Sequence, residues 1–472
     1  MQSRAKPLPV AMTIAGIDSG GGAGAVADLK TFAAVGVHGT LAVTSVTAQN
    51  THEVAGIYDV TPDMVRLQIR VVYEDMGIDA AKTGMLSNKE IVSAVAAELK
   101  SYDFPLVVDP VMVAKSGARL LREDAIETLI KELLPRATVV TPNAPEAERL
   151  SGLKVMDTES ARRAAKAIAD ATGVRAVIVK GGHIGGPESV DTLYYSVDTL
   201  YYDGNFREYR APRIETKDTH GTGDTLSAAI AAYLAKGLSI PDAVVKAKEL
   251  VTTAIAYGLN LGKGAGPVNP TAWVYVPAQK YLAIEELRGA LSALKENERY
   301  VSRLVPEIAI NFGVAIEPPY ARSVDDVVAV PGRITRYKDT IVIHGDPTPG
   351  ASSHVARALL AYMRLYPEYR AAVNIALNEH IEKAVELLGL RSSSYDRREE
   401  PKDAKEAEGG SLPWGISSAL RRAGAPVDVI YDSGDFGKEP GAFVFGRNAM
   451  EVAEKVIAIA KKVAELEGER SG

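Results

Sequence analysis

His220-Gly221-Thr222-Gly223-Asp224 runs straight into an apolar stretch of helical type, Thr225–Leu234. Glycines just before a helix let backbone N–H groups converge on an anion, and the helix dipole adds to the attraction. Asp224 opens that helix. Alone, such an aspartate reads as an N-terminal cap. Beside a phosphate it reads as a general base facing an acceptor hydroxyl, and the company it keeps favours the base. Lys180 closes the run Ala176–Lys180, ahead of Gly181, Gly182 and His183, and can hold a phosphate as a point charge. Asp109 and Glu146 each follow a strand-like run, so both can reach a shared Mg²⁺ directly or through water.

Other segments suit a flat ligand. Thr13–Asp28, TIAGIDSGGGAGAVAD, follows a strand-like run and opens a helix. It lacks the Gly-Lys-Ser/Thr ending of one phosphate loop and the spacing of the dinucleotide fingerprint. Its glycines let backbone approach a planar group, although Gly20–Gly24 alone reads as a turn. The Gln49 amide, in Ala48–Thr51, can donate and accept at once. Met85, in Lys82–Leu86, can cover a ring with its sulfur or simply pack in the core.

Alternating elements must position these residues. Val10–Ala15, Leu41–Thr47, Leu106–Asp109, Thr138–Thr141 and Ala176–Lys180 are short, apolar and strand-like. Amphipathic runs at Lys89–Leu99, Glu123–Leu133 and Ser160–Thr172 separate them. Such alternation predicts a mostly parallel sheet with helices on both faces, its ligands at the carboxyl ends of the strands. The repeat DTLYYSV-DTLYY, from Asp191, followed by Asp203-Gly204, predicts a β-hairpin without a chemical role. After Trp273 the pattern changes. Residues 1–276 form a first domain, 277–290 a linker within a helical stretch, and 291–472 a second, smaller α/β domain. Helices are predicted near His354–Leu365, Tyr369–Leu388 and Ala449–Glu467. The charged run Arg397–Gly410 reads as a solvated loop.

Composition removes several classes of function. The chain has 472 residues, 46% of them hydrophobic and enough for buried cores, and a net charge of −6, which gives no reason to expect nucleic acid as the main partner, although basic residues can still cluster around a phosphorylated small molecule. It has no cysteine, so thiolate nucleophiles, disulfides and cysteine zinc sites are excluded. No stretch approaches the ~18 apolar residues of a membrane span, and Met1–Val10 lacks the apolar core of a signal peptide. A cytoplasmic protein acting on small molecules, away from membranes, is the expectation.

The motif order TIAG, GGAG, ADLKTF, TAQNT, KTGML, DPVM, TPNAPEAERLSG, VKGGH, HGTG and TLSAAIAAYLAKG resembles the hydroxymethylpyrimidine/hydroxymethylpyrimidine-phosphate kinases of the ribokinase superfamily, from about Val10 to Trp273. The resemblance implies ATP, Mg²⁺ and two successive phosphorylations of 4-amino-5-hydroxymethyl-2-methylpyrimidine. It places the pyrimidine against Gly16, Asp28, Gln49, Met85 and Val111. Mg-ATP falls near Asp109, Asn143, Glu146 and Lys180, and the anion hole at Gly221, Thr222 and Gly223. One position departs from the pattern: the family usually carries cysteine where this chain has Asp224. Aspartate favours proton removal from an alcohol and so the first phosphorylation. The departure also keeps a pyridoxal or sugar kinase open as an alternative.

From Leu291 to about Glu467 the chain resembles the thiamine-phosphate synthase domain found fused to such kinases. The resemblance implies coupling of the pyrimidine pyrophosphate to a thiazole phosphate, with release of pyrophosphate. Arg322, Arg333 and Arg447 are candidate clamps for the leaving group, because guanidinium meets phosphate bidentately. His344, in IVIHGD, and His354, at a helix start after Ser352 and Ser353, are candidate phosphate contacts. Asn374 and the turn Asp432–Pro440 complete the polar segments. A non-catalytic sensor of thiamine phosphates is the alternative for this half. A homo-oligomer is expected for the whole.

Overall fold

The computed structural model describes residues 7–114, 116–181, 195–406, 409–434 and 439–468. Gly182, His183 and residues 191–194 and 435–438, all within segments singled out above, lie outside that description. The chain divides into two compact units, 1–274 and 275–472. The stretch 277–290 lies inside a continuous helix, Ala272–Glu296. Its Lys280 meets Asp326 at 3.3 Å and its Glu286 meets Arg370 at 3.3 Å, which builds the expected linker into the second unit.

Nine strands form the first sheet: β1 Val10–Asp18, β2 His38–Gln49, β3 Val54–Asp59, β4 Ala80–Thr83, β5 Leu106–Val108, β6 Val139–Val140, β7 Ala176–Val179, β8 Tyr195–Tyr202 and β9 Asn205–Pro212. Their order is β3-β2-β1-β4-β5-β6-β7-β8-β9. The strands from β2 to β7 run parallel, while β3, β8 and β9 pair antiparallel at the edges. Successive side chains leave a strand on opposite faces. Thus Leu106, Val108, Val140 and Val177 join one core, with the helices Pro62–Met76, Lys89–Leu99 and Thr158–Thr172. Val107, Val139 and Ile178 join the other, with Gly24–Val35, Thr222–Ala235 and Ile240–Ala256. Both faces are covered, so these strands are apolar throughout. The hairpin forms as expected, β8 and β9 closing on Asp203 and Gly204, both at positive φ.

The second unit holds a seven-stranded sheet of order β14-β11-β10-β15-β18-β17-β16 and a separate pair, β12-β13. The ranges are β10 Phe312–Ala315, β11 Val327–Ala329, β12 Ile334–Tyr337, β13 Thr340–Ile343, β14 Thr348–Pro349, β15 Ala371–Ala376, β16 Ser392–Tyr395, β17 Val429–Asp432 and β18 Gly441–Gly446. All pairings are antiparallel except β16 with β17. Two expectations fail here. Tyr369–Leu388 is not one helix: its first half is the central strand β15, and only Glu379–Leu387 is helical. Alanines give that segment a helical propensity, but burial between β10 and β18 overrides it. Nor is Arg397–Gly410 simply solvated, since Arg397 is buried.

Candidate active sites

In the first unit the polar residues gather where the strands end. Asp18 ends β1, Gln49 ends β2 and Thr83 ends β4, while Asp109 follows β5, Thr141 follows β6 and Lys180 follows β7. This is where open parallel sheets bind ligands.

A buried lysine lies at the centre. Lys82 Nζ stands 3.0 and 2.9 Å from the two carboxylate oxygens of Asp28 and 3.1 Å from Asp224 Oδ1. The side chains of Lys82 and Asp28 have no exposed surface, whereas that of Asp224 is 17% exposed. Burial pushes the Asp28 carboxyl up to about 7 even though Lys82 faces it. Burial also acts to raise Asp224, but Lys82 outweighs it and leaves that carboxyl below its ordinary value.

The first turn of the helix Thr222–Ala235 faces a second ionic group. A side chain on Gly223 would come within 3.2 Å of Lys180 Nζ and 3.5 Å of Asp109 Oδ2. Lys180 Nζ is 2.9 Å from Asp109 Oδ1 and 4.0 Å from Glu146 Oε2. Glu146 and Asn143 also cap the helix Ala144–Ser151 reciprocally: each accepts the other's backbone N–H, at 2.8 and 2.9 Å. Burial raises the Glu146 carboxyl to about 7, Lys180 opposing the rise and Asp109 adding to it. Among the described residues no three acidic or imidazole side chains cluster as a self-contained metal site. A carboxylate pair suits Mg²⁺, which takes its remaining ligands from water and substrate phosphates.

The glycine turn closes on the glycine-rich loop. Gly221 has φ +81°, and a Cβ there would lie 1.9 Å from the Gly22 carbonyl oxygen, so only glycine fits. Asp18 accepts the N–H groups of Gly20, Gly22 and Ala23 at 2.8, 3.0 and 2.9 Å. His220 Nε2 lies 3.0 Å from the same carboxylate and 3.5 Å from Gln49 Nε2. Asp18 and His220 therefore link Gln49 to the turn. Gly16 lies against Met85, whose sulfur would be 3.1 Å from a Cβ there. Met85 is mostly buried, and Val111, half-buried, donates its N–H to the Asp109 carbonyl.

The structure thus brings Gly221, Thr222, Gly223, Asp224, Lys180, Asp109 and Glu146 together, with Gln49 reached through His220. It seals Asp28 behind Lys82, away from any ligand surface. Sequence reasoning passed over Lys82, Asp18 and Asp198. A lysine in the otherwise uncharged strand β4 was the available signal. Asp198, on the hairpin assigned no role, accepts the Gly181 N–H at 2.8 Å and pairs with Lys248 at 2.7 Å. It therefore steadies the residue after Lys180.

In the second unit, Asn311, Gly332, Arg333, Ser352, Ser353 and His354 line a cavity of about 260 Å³. Ser352 caps the helix Ser353–Met363 by accepting the Val355 N–H. The His354 ring stacks on Phe443 at 5.5 Å. Burial lowers its imidazole, and Arg333 and Arg397 repel a proton further, leaving it at about 4. Arg397 grips both oxygens of buried Asp432, Nε at 2.8 and 3.0 Å, and Tyr395 Oη donates to Asp432 at 2.8 Å. His344, on the β12–β13 hairpin, packs against Gly332 and contacts Thr335 at 2.7 Å. Arg322 and Arg447 do not join this group. Arg447 follows Gly446, which pairs with Ala371, whereas the cavity lies beside Phe443, toward the other end of β18. Arg322 donates to the Pro319 carbonyl and its backbone N–H to Asp326, where β11 begins opposite Ala315, the far end of β10 from Asn311.

Fold and site together define the first unit as a ribokinase-like phosphotransferase. The solved pyridoxal kinase of Bacillus subtilis, an ADP complex, is 35% identical, covers 56% of this chain and 98% of its own, and superposes with a TM-score of 0.52. That of Staphylococcus aureus with AMP-PCP and pyridoxal is 35% identical over 57% of this chain and 96% of its own, with a TM-score of 0.51. The phosphomethylpyrimidine kinase model matches residues 18–269, and the thiamine-phosphate synthase ThiN model matches 286–458. The hydroxymethylpyrimidine/phosphomethylpyrimidine kinase of Streptomyces coelicolor is 49% identical over 262 residues, 55% of this chain and 94% of that protein. The thiamine biosynthesis bifunctional protein ThiED of Geobacter sulfurreducens is 46% identical over 57% of this chain and 54% of its own length. The chain belongs to the phosphomethylpyrimidine kinase family and carries a thiamine-phosphate synthase domain behind the kinase.

Proposed function

We propose that the first unit transfers the γ-phosphoryl group of ATP to the hydroxymethyl oxygen of 4-amino-5-hydroxymethyl-2-methylpyrimidine, and a second one to the resulting monophosphate. One observation carries this reading: Gly223 faces Lys180 and Asp109, while the next residue, Asp224, is the one member of the buried charged trio with exposed surface. Backbone N–H groups at the helix N-terminus hold the migrating phosphate, and Lys180 supplies a positive charge beside it. The acceptor oxygen forms a bond to phosphorus as the bond to ADP breaks. ADP leaves with that electron pair, and the hydroxyl proton passes to Asp224. Asp109 and Glu146 would hold Mg²⁺, directly or through water, and the ion would neutralise charge on the phosphates. Gln49 reads the ring edge, Met85 and Gly16 lie along its faces, and Asp28 acts from behind Lys82.

The second unit joins the pyrimidine pyrophosphate to a thiazole phosphate. The thiazole nitrogen bonds to the methylene carbon, and pyrophosphate leaves with the electrons of the C–O bond. Arg333, Ser352, Ser353 and uncharged His354 line the cavity that takes the anionic groups, with Arg397 held behind by Asp432. Supplying the purified chain with both phosphorylated rings tests this step. Thiamine phosphate in the product supports the synthase; binding without product favours a sensor. The likeness to pyridoxal kinases gives the first unit a second reading, and pyridoxal turnover exceeding that of the pyrimidine would establish it.

A further inference from the structure

Burying two carboxylates and an ammonium together is a poor way to stabilise a fold. Desolvation of such clusters often cancels their attraction, and apolar replacements of similar volume do as well or better. Lys82, Asp28 and Asp224 are nevertheless assembled from three separate elements: β4, the helix Gly24–Val35 and the helix Thr222–Ala235. An ammonium has three donors, and all three are spent, two on Asp28 and one on Asp224. Thr13 Oγ1 donates to Asp28 at 2.6 Å and fixes that anchor in turn. A side chain at Gly84 would come within 3.0 Å of Lys82 Nζ and 3.1 Å of Ala15 Cβ, which closes the space around the ammonium. Only the Asp224 end of the trio opens outward.

We propose that Lys82 is the positioning residue for Asp224: anchored to Asp28, it fixes the direction of the one exposed carboxylate toward the acceptor hydroxyl. The proposal rests on Asp224 receiving that proton. The charged and titratable groups around the trio are Asp109 and Lys180, at the ends of β5 and β7, which act on Lys82 and Asp224 respectively. Neither replaces Lys82, because Lys180 is committed to Asp109. In Lys82's absence Asp224 keeps its place in the helix but loses its only side-chain donor among the described hydrogen bonds.

The test is the double variant Lys82→Met/Asp28→Asn, which removes one charge of each sign from the interior. Equilibrium ADP binding and the thermal midpoint should match the parent. The rate constant for phosphorylating the alcohol should fall about 100-fold, the scale of an ångström's misplacement. The acid limb of its pH profile should rise by about one to three units, since a carboxylate loses a facing cation. ATP titrates identically with either enzyme, so the difference between profiles reports the protein. Lys82→Gln, smaller and able to donate, carries the same expectation should the double variant fail to fold. An unchanged rate and limb in either variant, with Asp224→Asn inactive, overturns the proposal. Full activity of Asp224→Asn itself instead overturns the assignment of the proton to Asp224.

Discussion

As the proposed base, Asp224 would do different amounts of work in the two phosphorylations. The first acceptor is an alcohol, which must lose a proton as its oxygen bonds to phosphorus. The second is a phosphate monoester whose second pKa is about 6, so it arrives largely deprotonated at neutral pH. Asp224→Asn is expected to slow the first step by about 10²- to 10⁴-fold, the usual worth of a positioned base, and the second step much less. Measuring both steps on one preparation checks this, and equal losses would refute the division. The residues visible from sequence alone were those whose motif implies an anion: the Gly221–Gly223 turn, Asp224, Lys180 and the acidic pair Asp109 and Glu146. Lys82 and Asp18 were not seen, and His220 was read only as part of the glycine turn, because their work is mutual. Nothing in KTGML says that its lysine points inward to a carboxylate 54 positions earlier and another 142 positions later.

Between elements, one carboxylate ties two helices on the outer layer of the first unit. Glu98, at the end of Lys89–Leu99, is 5% exposed and accepts from Arg66 Nε at 3.1 Å, Arg70 Nη2 at 2.8 Å and Tyr102 Oη at 2.7 Å. Both arginines belong to Pro62–Met76. Burial acts to raise its carboxyl, but Arg70, Tyr102 and Arg66 together lower it to about 2. A carboxyl lowered by folding stabilises above its unfolded value and loses that contribution as pH falls through the folded one. Glu98 therefore supports the fold fully above about pH 4.5 and progressively less toward pH 2. Glu98→Gln is expected to lower stability by about 0.5–1.5 kcal/mol at neutral pH, the scale of hydrogen bonds made to arginines that are themselves exposed by more than 40%, and to flatten the loss between those pH values. Denaturant midpoints across that range measure both effects. The helices Lys89–Leu99 and Thr158–Thr172 were legible because their apolar spacing repeats at helical period and a polar residue caps each start. Strand β15 was not, because AAVNIA carries no alternation: five of its six residues are buried. Arg397 was taken for surface charge because its partner, Asp432, lies 35 residues away.

Across the whole molecule the two halves are related by chemistry. A kinase that phosphorylates twice makes a pyrophosphate ester, and a pyrophosphate ester is what a synthase of the ThiN kind must open. The two sites share no residue. The kinase groups lie between Thr13 and Asp224, and the residues lining the cavity of the second unit lie between Asn311 and His354. Disabling one should therefore leave the other's chemistry intact while breaking the sequence of reactions. Full-length Asp224→Asn, given hydroxymethylpyrimidine, ATP and thiazole phosphate, is expected to make thiamine phosphate at least about 10²-fold more slowly than the parent. Given pyrimidine pyrophosphate in place of the alcohol, it should match the parent. Asp432→Asn is the reciprocal case. It leaves Arg397 buried without its counter-charge, a change that costs about 3–5 kcal/mol in comparable pairs, and both charges act on His354, which lines the cavity. That variant should convert the alcohol to the pyrophosphate at the parental rate and let the pyrophosphate accumulate. Chromatography of the reaction over time separates all four species. Parental thiamine phosphate output from Asp432→Asn would remove the Arg397–Asp432 pair from the second site, and none from the parent with both phosphorylated rings would leave the second half a binding module.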